Sequence, residues 1–284
     1  MSPTATAENP AEMPHGHYII RGGVAGRERL RVLSRVMAPT TTGLLARIGI
    51  REGARCLDAG CGGGDVTLEL ARLAGPGGQV TGIDLDEITL MVARDEARRA
   101  GVSSVEYRRA GLDDLGKHSA FDVAYARFLL SHLAGPAQAV RALAQATRPG
   151  GVVAVEDVDF AGCFSHPASG SYTAYCDLYT RAGYARGGDP NIGPRLPGML
   201  LAAGLTDVRV HIVQPAGFDP DVKALSPLTL ENITETVVAL GLISRRQVDT
   251  LIGELYAFAA QPSTILSLPR IFQVWGTVGS TAAA

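Results

Sequence analysis

The chain has no surplus of charge of one sign. Its 26 Lys and Arg face 28 Asp and Glu, for a formal net charge of -2, and charged residues make up 19% of the sequence against 46% hydrophobic. No basic excess is available to neutralise a phosphate backbone, so nucleic acid is not an expected partner. Long apolar runs are also missing. None reaches the roughly 18 residues of a membrane helix, and the opening MSPTATAENPAEMPHGHYII lacks the charged start and apolar centre of a secretory leader. A cytoplasmic protein without a membrane partner is the expectation. Cysteine is scarce, and Cys56, Cys61, Cys163 and Cys176 form no CxxC pair. They read as small reduced residues, neither a disulfide framework nor a metal site. Lysine is scarce beside abundant Ala, Gly and Arg, a bias of GC-rich bacterial coding.

With 284 residues the chain can bury a sizeable core without covalent staples. Residues 1–14 have the aperiodic Pro, Ala, Thr and Glu composition of a tail. Residues 15–50 read as lid helices, because apolar residues recur at helical spacing from Arg27 to Ile48 on either side of Pro39, which predicts two short helices with a break between them. Residues 51–159 alternate strand and helix. ARCLDA, QVTGID, VEYRRA, FDVAYA and VVAVEDV are the expected strands, with helices over 66–73, 87–100 and 138–146. Such alternation implies a mostly parallel α/β sheet with right-handed crossovers, which binds its ligand at the carboxyl ends of the strands. Residues 160–204 read as a Tyr- and Gly-rich cap closed by a short helix over 196–203. Residues 205–284 read as distal strands, with a helical pair inserted at 219–262 and the final IFQVWGTV lying antiparallel to DVRVHIV in the same sheet. One domain is expected, with no internal repeat. Homo-oligomerisation is compatible with this organisation.

The chemistry concentrates in LDAGCGGGDVTLELA. Glycines between a strand and a helix let a ligand approach the backbone, where helix N–H groups face it. A dinucleotide fingerprint beginning at Gly60 would require glycine at position 65, which is Asp65 instead. A carboxylate there repels a diphosphate, although it suits a helix start. Asp58 adds a second negative charge and so favours a ligand carrying a cationic amine, as the methionyl end of S-adenosylmethionine does. Asp84 ends the second strand, at the distance from the turn where an acid accepts hydrogen bonds from both ribose hydroxyls. Its other reading is a cap for the helix that follows.

LDAGCGGGDVTLELA, GIDLD, FDVAYARFLLSHL and RPGG, in this order, resemble the class I Rossmann-like S-adenosylmethionine-dependent methyltransferase family, especially the small-molecule branch with the ubiquinone and menaquinone methyltransferases. The resemblance covers 52–158, and implies a seven-stranded sheet with an antiparallel last strand and S-adenosyl-L-methionine as cofactor. It implies that Asp58, Gly60, Cys61 and Gly62 hold the methionyl moiety and that Asp84 and Leu85 hold ribose and adenine. Leu112 then offers its backbone N–H to adenine, and Arg127 meets the methionyl amine or carboxylate. Where the family commonly has an acid after the third strand, this chain has Gly111, with Asp113 as the nearby substitute.

Methyl transfer from a sulfonium is an in-line displacement that needs positioning more than covalent catalysis. A base is needed only when the acceptor must lose a proton. Glu156, Asp157 and Asp159 at the end of the fifth strand, and His132 after the fourth, are candidates for orienting or deprotonating the acceptor, each with a bland alternative as a cap or buried structural group. HGHYIIRGGVAGRERL places His15, His17, Tyr18, Arg21 and Arg29 beside a Gly22–Gly23 hinge and reads as a lid, with Tyr18 at the closed site and Arg29 toward the cofactor. No third donor accompanies His15 and His17, so no metal is expected. Tyr172, Tyr175, Tyr179 and Tyr184, with Phe160 and Phe164, suggest a pocket for a flat aromatic acceptor, or else packing of the cap. The expected function is methylation of a small-molecule acceptor, an indole- or phenol-type natural product of secondary metabolism. The rival readings are an NAD(P)-dependent oxidoreductase and a non-catalytic S-adenosylmethionine-binding protein.

Overall fold

The computed structural model describes residues 23–115 and 120–279. The tail and lid positions at His15, His17, Tyr18 and Arg21 lie outside them. The first element is one helix, α1 (Gly23–Ile48), and not the two expected. Pro39 sits inside it and removes one backbone hydrogen bond, but tertiary packing outweighs that loss. Val32, Met37, Leu44 and Leu45 are buried on its inner side, and the Thr40 hydroxyl donates to the Met37 carbonyl at 3.0 Å.

The alternating core follows the sequence pattern closely: β1 (Arg55–Ala59), α2 (Asp65–Ala74), β2 (Gln79–Asp84), α3 (Glu87–Arg99), β3 (Val105–Arg109), β4 (Phe121–Arg127), α4 (Pro136–Ala146) and β5 (Thr147–Asp159). Beyond it come β6 (Ser165–His166), α5 (Gly170–Ala185), α6 (Leu196–Ala202), β7 (Leu205–Val213), β8 (Ala216–Gly217), α7 (Pro220–Ala239), α8 (Arg245–Ala260), β9 (Ile265–Ser267) and β10 (Arg270–Val278). The main sheet has the order β3-β2-β1-β4-β5-β10-β7. β10 runs antiparallel to both β5 and β7, while β1 to β5 pair in parallel. The expected fold class is therefore the observed one. A second, three-stranded sheet of β6, β9 and β8 was not anticipated, since strands of two or three residues leave no periodic trace.

Strand order reverses between β1 and β4, which makes a crevice at their carboxyl ends, the ligand position of open α/β sheets. One hydrophobic cluster fills the face with Leu57, Ala124, Val153, Leu143 and Leu196, and another packs Leu44, Leu45 and Leu70 against Tyr125 and Ala154 on the opposite side. A separate cluster joins Phe160, Tyr172, Tyr175 and Tyr179 to Leu230, Ile233, Val248 and Leu255, so α5, α7 and α8 form a cap with its own core. Among the described residues no helix is long and apolar enough to cross a membrane.

Candidate active site

The glycine-rich turn is tied to the edge of β2. The amides of Gly60 and Cys61 both donate to the Ile83 carbonyl, at 2.8 and 2.9 Å, and the Gly62 amide donates to Asp84 Oδ2 at 3.0 Å. Asp84 Oδ1 accepts from the Asp86 amide at 2.9 Å, so the carboxylate spans the turn and the start of α3. The cap of α3 itself is Asp86, whose side chain accepts from the Ile88 amide. Burial raises the Asp84 pKa, and the two amides oppose that rise. A carboxylate oxygen can accept more than one hydrogen bond, so Asp84 keeps capacity for ligand donors.

Asp58 lies deeper, almost fully buried, and accepts from the Thr67 hydroxyl at 2.6 Å. Burial pushes its pKa up to about 7, and Asp65 and Asp84 add to the rise. Asp65 begins α2 and is bridged by Arg127 Nη2 at 2.6 Å. Its pKa is lowered: burial opposes ionisation, but Arg127 prevails. Arg127 also donates to Thr41 Oγ1 at 3.2 Å, which ties α1 to the end of β4. Asp58 and Asp84 have no ion pair among the described residues. The turn is thus a net anionic cradle.

Gly60, Gly62 and Gly64 have φ of 69°, 51° and 83°, conformations costly for other residues. Their surroundings differ. A Cβ at Gly60 would touch Leu129, and one at Gly64 would press on Tyr107 and Ala93, whereas Gly62 has nothing within 4 Å of the same position. Gly62 therefore faces open space, as a backbone approached by a ligand must.

Beside the turn, Leu85 is 69% exposed, and its side chain lies 3.7 Å from where a Cβ would stand on Gly111. These two residues are therefore neighbours beside Asp84. The Gly111 amide donates to Asp114 Oδ2 at 2.8 Å, so Asp114, not anticipated from the sequence, is the acid folded back onto this position. Asp113 is exposed, and Leu112 packs against the main core. Cys61 is buried against Leu90, Ala93 and Tyr107.

The acids at the end of β5 separate by strand alternation. Glu156 is fully buried and accepts from Thr41 Oγ1 at 2.9 Å, from Gln273 Nε2 at 2.7 Å and from the Tyr125 hydroxyl. It braces α1 against the sheet. Asp157 accepts from the amides of Ser131 and Val158 at 3.1 and 2.9 Å, and burial raises its pKa to about 6. It thereby holds the short turn Leu130–His132. Asp159 caps the turn after β5 and pairs with Arg270 at 2.6 Å. His132 is buried, and its pKa falls to about 3 through burial, with Arg29 contributing. It is neutral at ordinary pH. Phe128, the residue after β4, has φ of 53°, a rare conformation of the kind that gathers at sites.

Thr41 and Gln273 escaped the sequence reading because they sit on elements distant in the chain and belong to no motif, and Phe128, although inside FDVAYARFLLSHL, because a left-handed backbone leaves no trace in a non-glycine residue. The aromatic residues are largely internal to the cap. Phe160 stacks on Tyr179 at 4.1 Å between centroids, Tyr172 and Tyr175 pack beside them, and the Tyr172 hydroxyl donates to the Ser267 carbonyl. Tyr184 and Phe164 are exposed.

A doubly wound sheet whose first turn is a glycine-lined cradle beside two carboxylates is the arrangement of the Rossmann-like class. Residues 50–181 match the family described as Methyltransferase domain. The ubiquinone biosynthesis O-methyltransferase of Paracidovorax citrulli is 37% identical over 117 residues, 40% of this chain and 48% of that protein. The chain thus spans less than half the length of that curated relative. Among solved structures, the Haemonchus contortus phosphoethanolamine N-methyltransferase 2 in complex with S-adenosyl-L-methionine is similar in fold, with a TM-score of 0.54, 18% identity and coverage of 85% of this chain and 53% of the other. The [4+2]-cyclase SpnF is similar at a TM-score of 0.53 and 20% identity, over 85% of this chain and 82% of that one. Residues 50–181 are thus similar to the methyltransferase domain family, on a Rossmann-like sheet.

Proposed function

We propose that this protein binds S-adenosyl-L-methionine across the β1 and β4 crevice and transfers its methyl group to a small-molecule acceptor. The observation that carries this reading is the cradle itself: a buried carboxylate, Asp58, and a half-buried one, Asp84, neither in an ion pair among the described residues, beside a Gly62 backbone that faces open space. When bound, the cofactor supplies an electrophilic methyl on a cationic sulfonium. Asp84 accepts from the ribose hydroxyls, Leu85 and the 111–112 backbone enclose adenine, and Asp58 stabilises the methionyl ammonium. Gly60, Cys61 and Gly62 bring backbone to the methionyl end, and Arg127 faces its carboxylate. The dinucleotide reading is disfavoured because Asp65 stands where its fingerprint needs glycine. Fold likeness alone does not separate a catalyst from a non-catalytic binder.

His132, neutral and held in place through the Asp157 contact with Ser131, presents a hydrogen-bonding group to the acceptor and is too weak a base to take a proton far from its own pKa. Glu156 acts on this site indirectly, by fixing Thr41 and hence Arg127. Tyr18 belongs to the same proposal as a lid residue. The acceptor is taken to be an aromatic natural product of indole or phenol type, in the cytoplasm of a bacterium, on the strength of relatives named as O-methyltransferases. Incubating metabolite extracts with labelled methyl donor and identifying the product by mass spectrometry tests this. Wild-type protein that binds the cofactor but labels nothing in a broad screen would speak for a binder.

Two consequences follow from the cradle. Gly62→Ala is expected to lose only about 1 kcal/mol of stability from backbone strain while cofactor affinity drops by roughly tenfold or more, as the methyl fills ligand space. Unchanged affinity by calorimetry would remove the ligand from this turn. The second consequence concerns Asp58. Its folded pKa, raised to about 7, means the unliganded protein keeps a proton between roughly pH 4 and 7 that the unfolded chain has released. Unliganded stability therefore falls as pH rises through that window. A cationic ligand favours the carboxylate, so binding at pH 6 should expel a proton and affinity should climb toward pH 8. Calorimetry in two buffers of different ionisation enthalpy reads the release directly, and Asp58→Asn should abolish it. Identical heats in both buffers for the wild type would refute the role of Asp58.

A further inference from the structure

Arg29, on the outer part of α1, is 91% buried, yet its charge is unopposed among the described residues. Its residual exposure is 9%, and its Nε donates to Thr229 Oγ1 of α7 at 2.9 Å. No described carboxylate forms an ion pair with it, and its two terminal nitrogens, which carry four N–H donors, have no described partner. Nor are those nitrogens sealed in protein without partners. Burying a guanidinium without a counter-charge costs several kcal/mol, and such a group persists where an anion completes it.

The surroundings say which anion. Arg29 acts electrostatically on His132 in the turn after β4 and on Tyr175 of α5. Its neighbours therefore come from the acceptor side of the crevice: α5, α7 and the His132 turn. The cofactor turn is served from further along the same helix, by Thr41, which is twelve residues on, about 18 Å along the axis, and which receives the Arg127 hydrogen bond. Ser34, which reaches Asp65, is itself five residues on, roughly 7–8 Å. His132 is neutral, and Arg29 brings a positive charge to this corner. One forked guanidinium matches one carboxylate, two parallel N–H donors to two oxygens.

We propose that Arg29 is the acceptor-binding anion subsite, so that the molecule methylated here carries a carboxylate that docks on the free prongs of Arg29 between His132, Tyr175 and Thr229. This rests on the methyltransferase reading above, and replaces the expected contact of Arg29 with the cofactor. The carboxylate pins one end of the acceptor against the cap and leaves its other end to meet the methyl donor over the turn. Arg29 thus selects the substrate class, acidic over neutral, without taking part in the displacement.

The test uses full-length protein loaded with S-adenosylhomocysteine, titrated calorimetrically with benzoate, 4-hydroxybenzoate and indole-3-acetate and with the neutral amide of each. The acids are expected to bind wild type at least tenfold more tightly than their amides. Arg29→Met should erase that preference and leave S-adenosylhomocysteine affinity within twofold. Should Arg29→Met lose its fold by circular dichroism, Arg29→Lys is read instead, with the preference reduced, because an ammonium lacks the two-pronged fit; a full preference in that variant overturns the forked contact. Wild type that binds S-adenosylhomocysteine but shows no preference for acids, or binds none of the six probes, overturns the proposal. So does a tenfold loss of S-adenosylhomocysteine affinity in Arg29→Met, which would return Arg29 to the cofactor. Failure of the wild type to bind S-adenosylhomocysteine at all is a different result and rejects the methyltransferase reading itself.

Discussion

Asp84→Ala is expected to weaken S-adenosylmethionine binding by roughly a hundredfold, the loss of two hydrogen bonds to a charged acceptor less what water restores. The carboxylate does two jobs in the unliganded protein, receiving the Gly62 amide and the Asp86 amide. Alanine removes the ribose acceptor and also frees the turn, so both the contact and its pre-organisation are lost. Asp84→Asn separates them: the amide oxygen still accepts one backbone hydrogen bond, and affinity should fall less. The helix that follows keeps its own cap, Asp86, whose side chain binds the Ile88 amide and the Thr89 hydroxyl. Thermal stability of the alanine variant should therefore stay close to wild type. Calorimetry showing undiminished affinity, with the fold intact by circular dichroism, would take the ribose away from Asp84.

Gly64→Ala should instead strike the fold. Its φ of 83° is disfavoured for any residue with a Cβ, at about 1 kcal/mol. The added methyl would also be driven into Tyr107 on β3 and would stand 3.0 Å from the Ala93 Cβ on α3. Overpacking of that kind costs about 1–3 kcal/mol. The total, about 2–4 kcal/mol, corresponds to a fall in Tm on the order of 5–15 °C. A Tyr107→Phe background removes the hydroxyl in the way and should recover part of the loss. Scanning calorimetry on both variants decides it, and a melting point within 2 °C of wild type for Gly64→Ala alone would show that the turn relaxes. Neighbouring glycines thus differ: Gly62 faces open space, while Gly64 makes room for Tyr107.

The acids at the end of β5 show how far a linear reading reaches. Their clustering at a strand end marked 156–159 as important, but alternation sends Glu156 toward α1 and Asp157 toward the His132 turn. Glu156 is bound by Thr41 and Gln273, 115 and 117 residues away in sequence. No local pattern announces such a partner. The tyrosines are similar. Their helical recurrence is visible in the chain, but whether they line a cavity or fill a core depends on α7 and α8, which cover Tyr172, Tyr175 and Tyr179. Pro39 is the converse case, a strong local break signal overridden by the burial of Met37, Leu44 and Leu45 around it.

The amino-acid order alone was sufficient for the alternating α/β core, the antiparallel terminal strand, and the positions of Asp58, the glycine turn and Asp84. The core elements and the turn depend on interactions within a few residues or on a two- or 3.6-residue period, which a string of letters records, and the terminal strand's direction came with the family resemblance. Tertiary structure alone decided the ionisation of Asp58 and His132, the bracing of Arg127 by Asp65 and Thr41, and the burial of Arg29 without an ion pair among the described residues. Each of those is set by burial and by neighbours from remote segments, and the energy of a charge depends on what surrounds it in space.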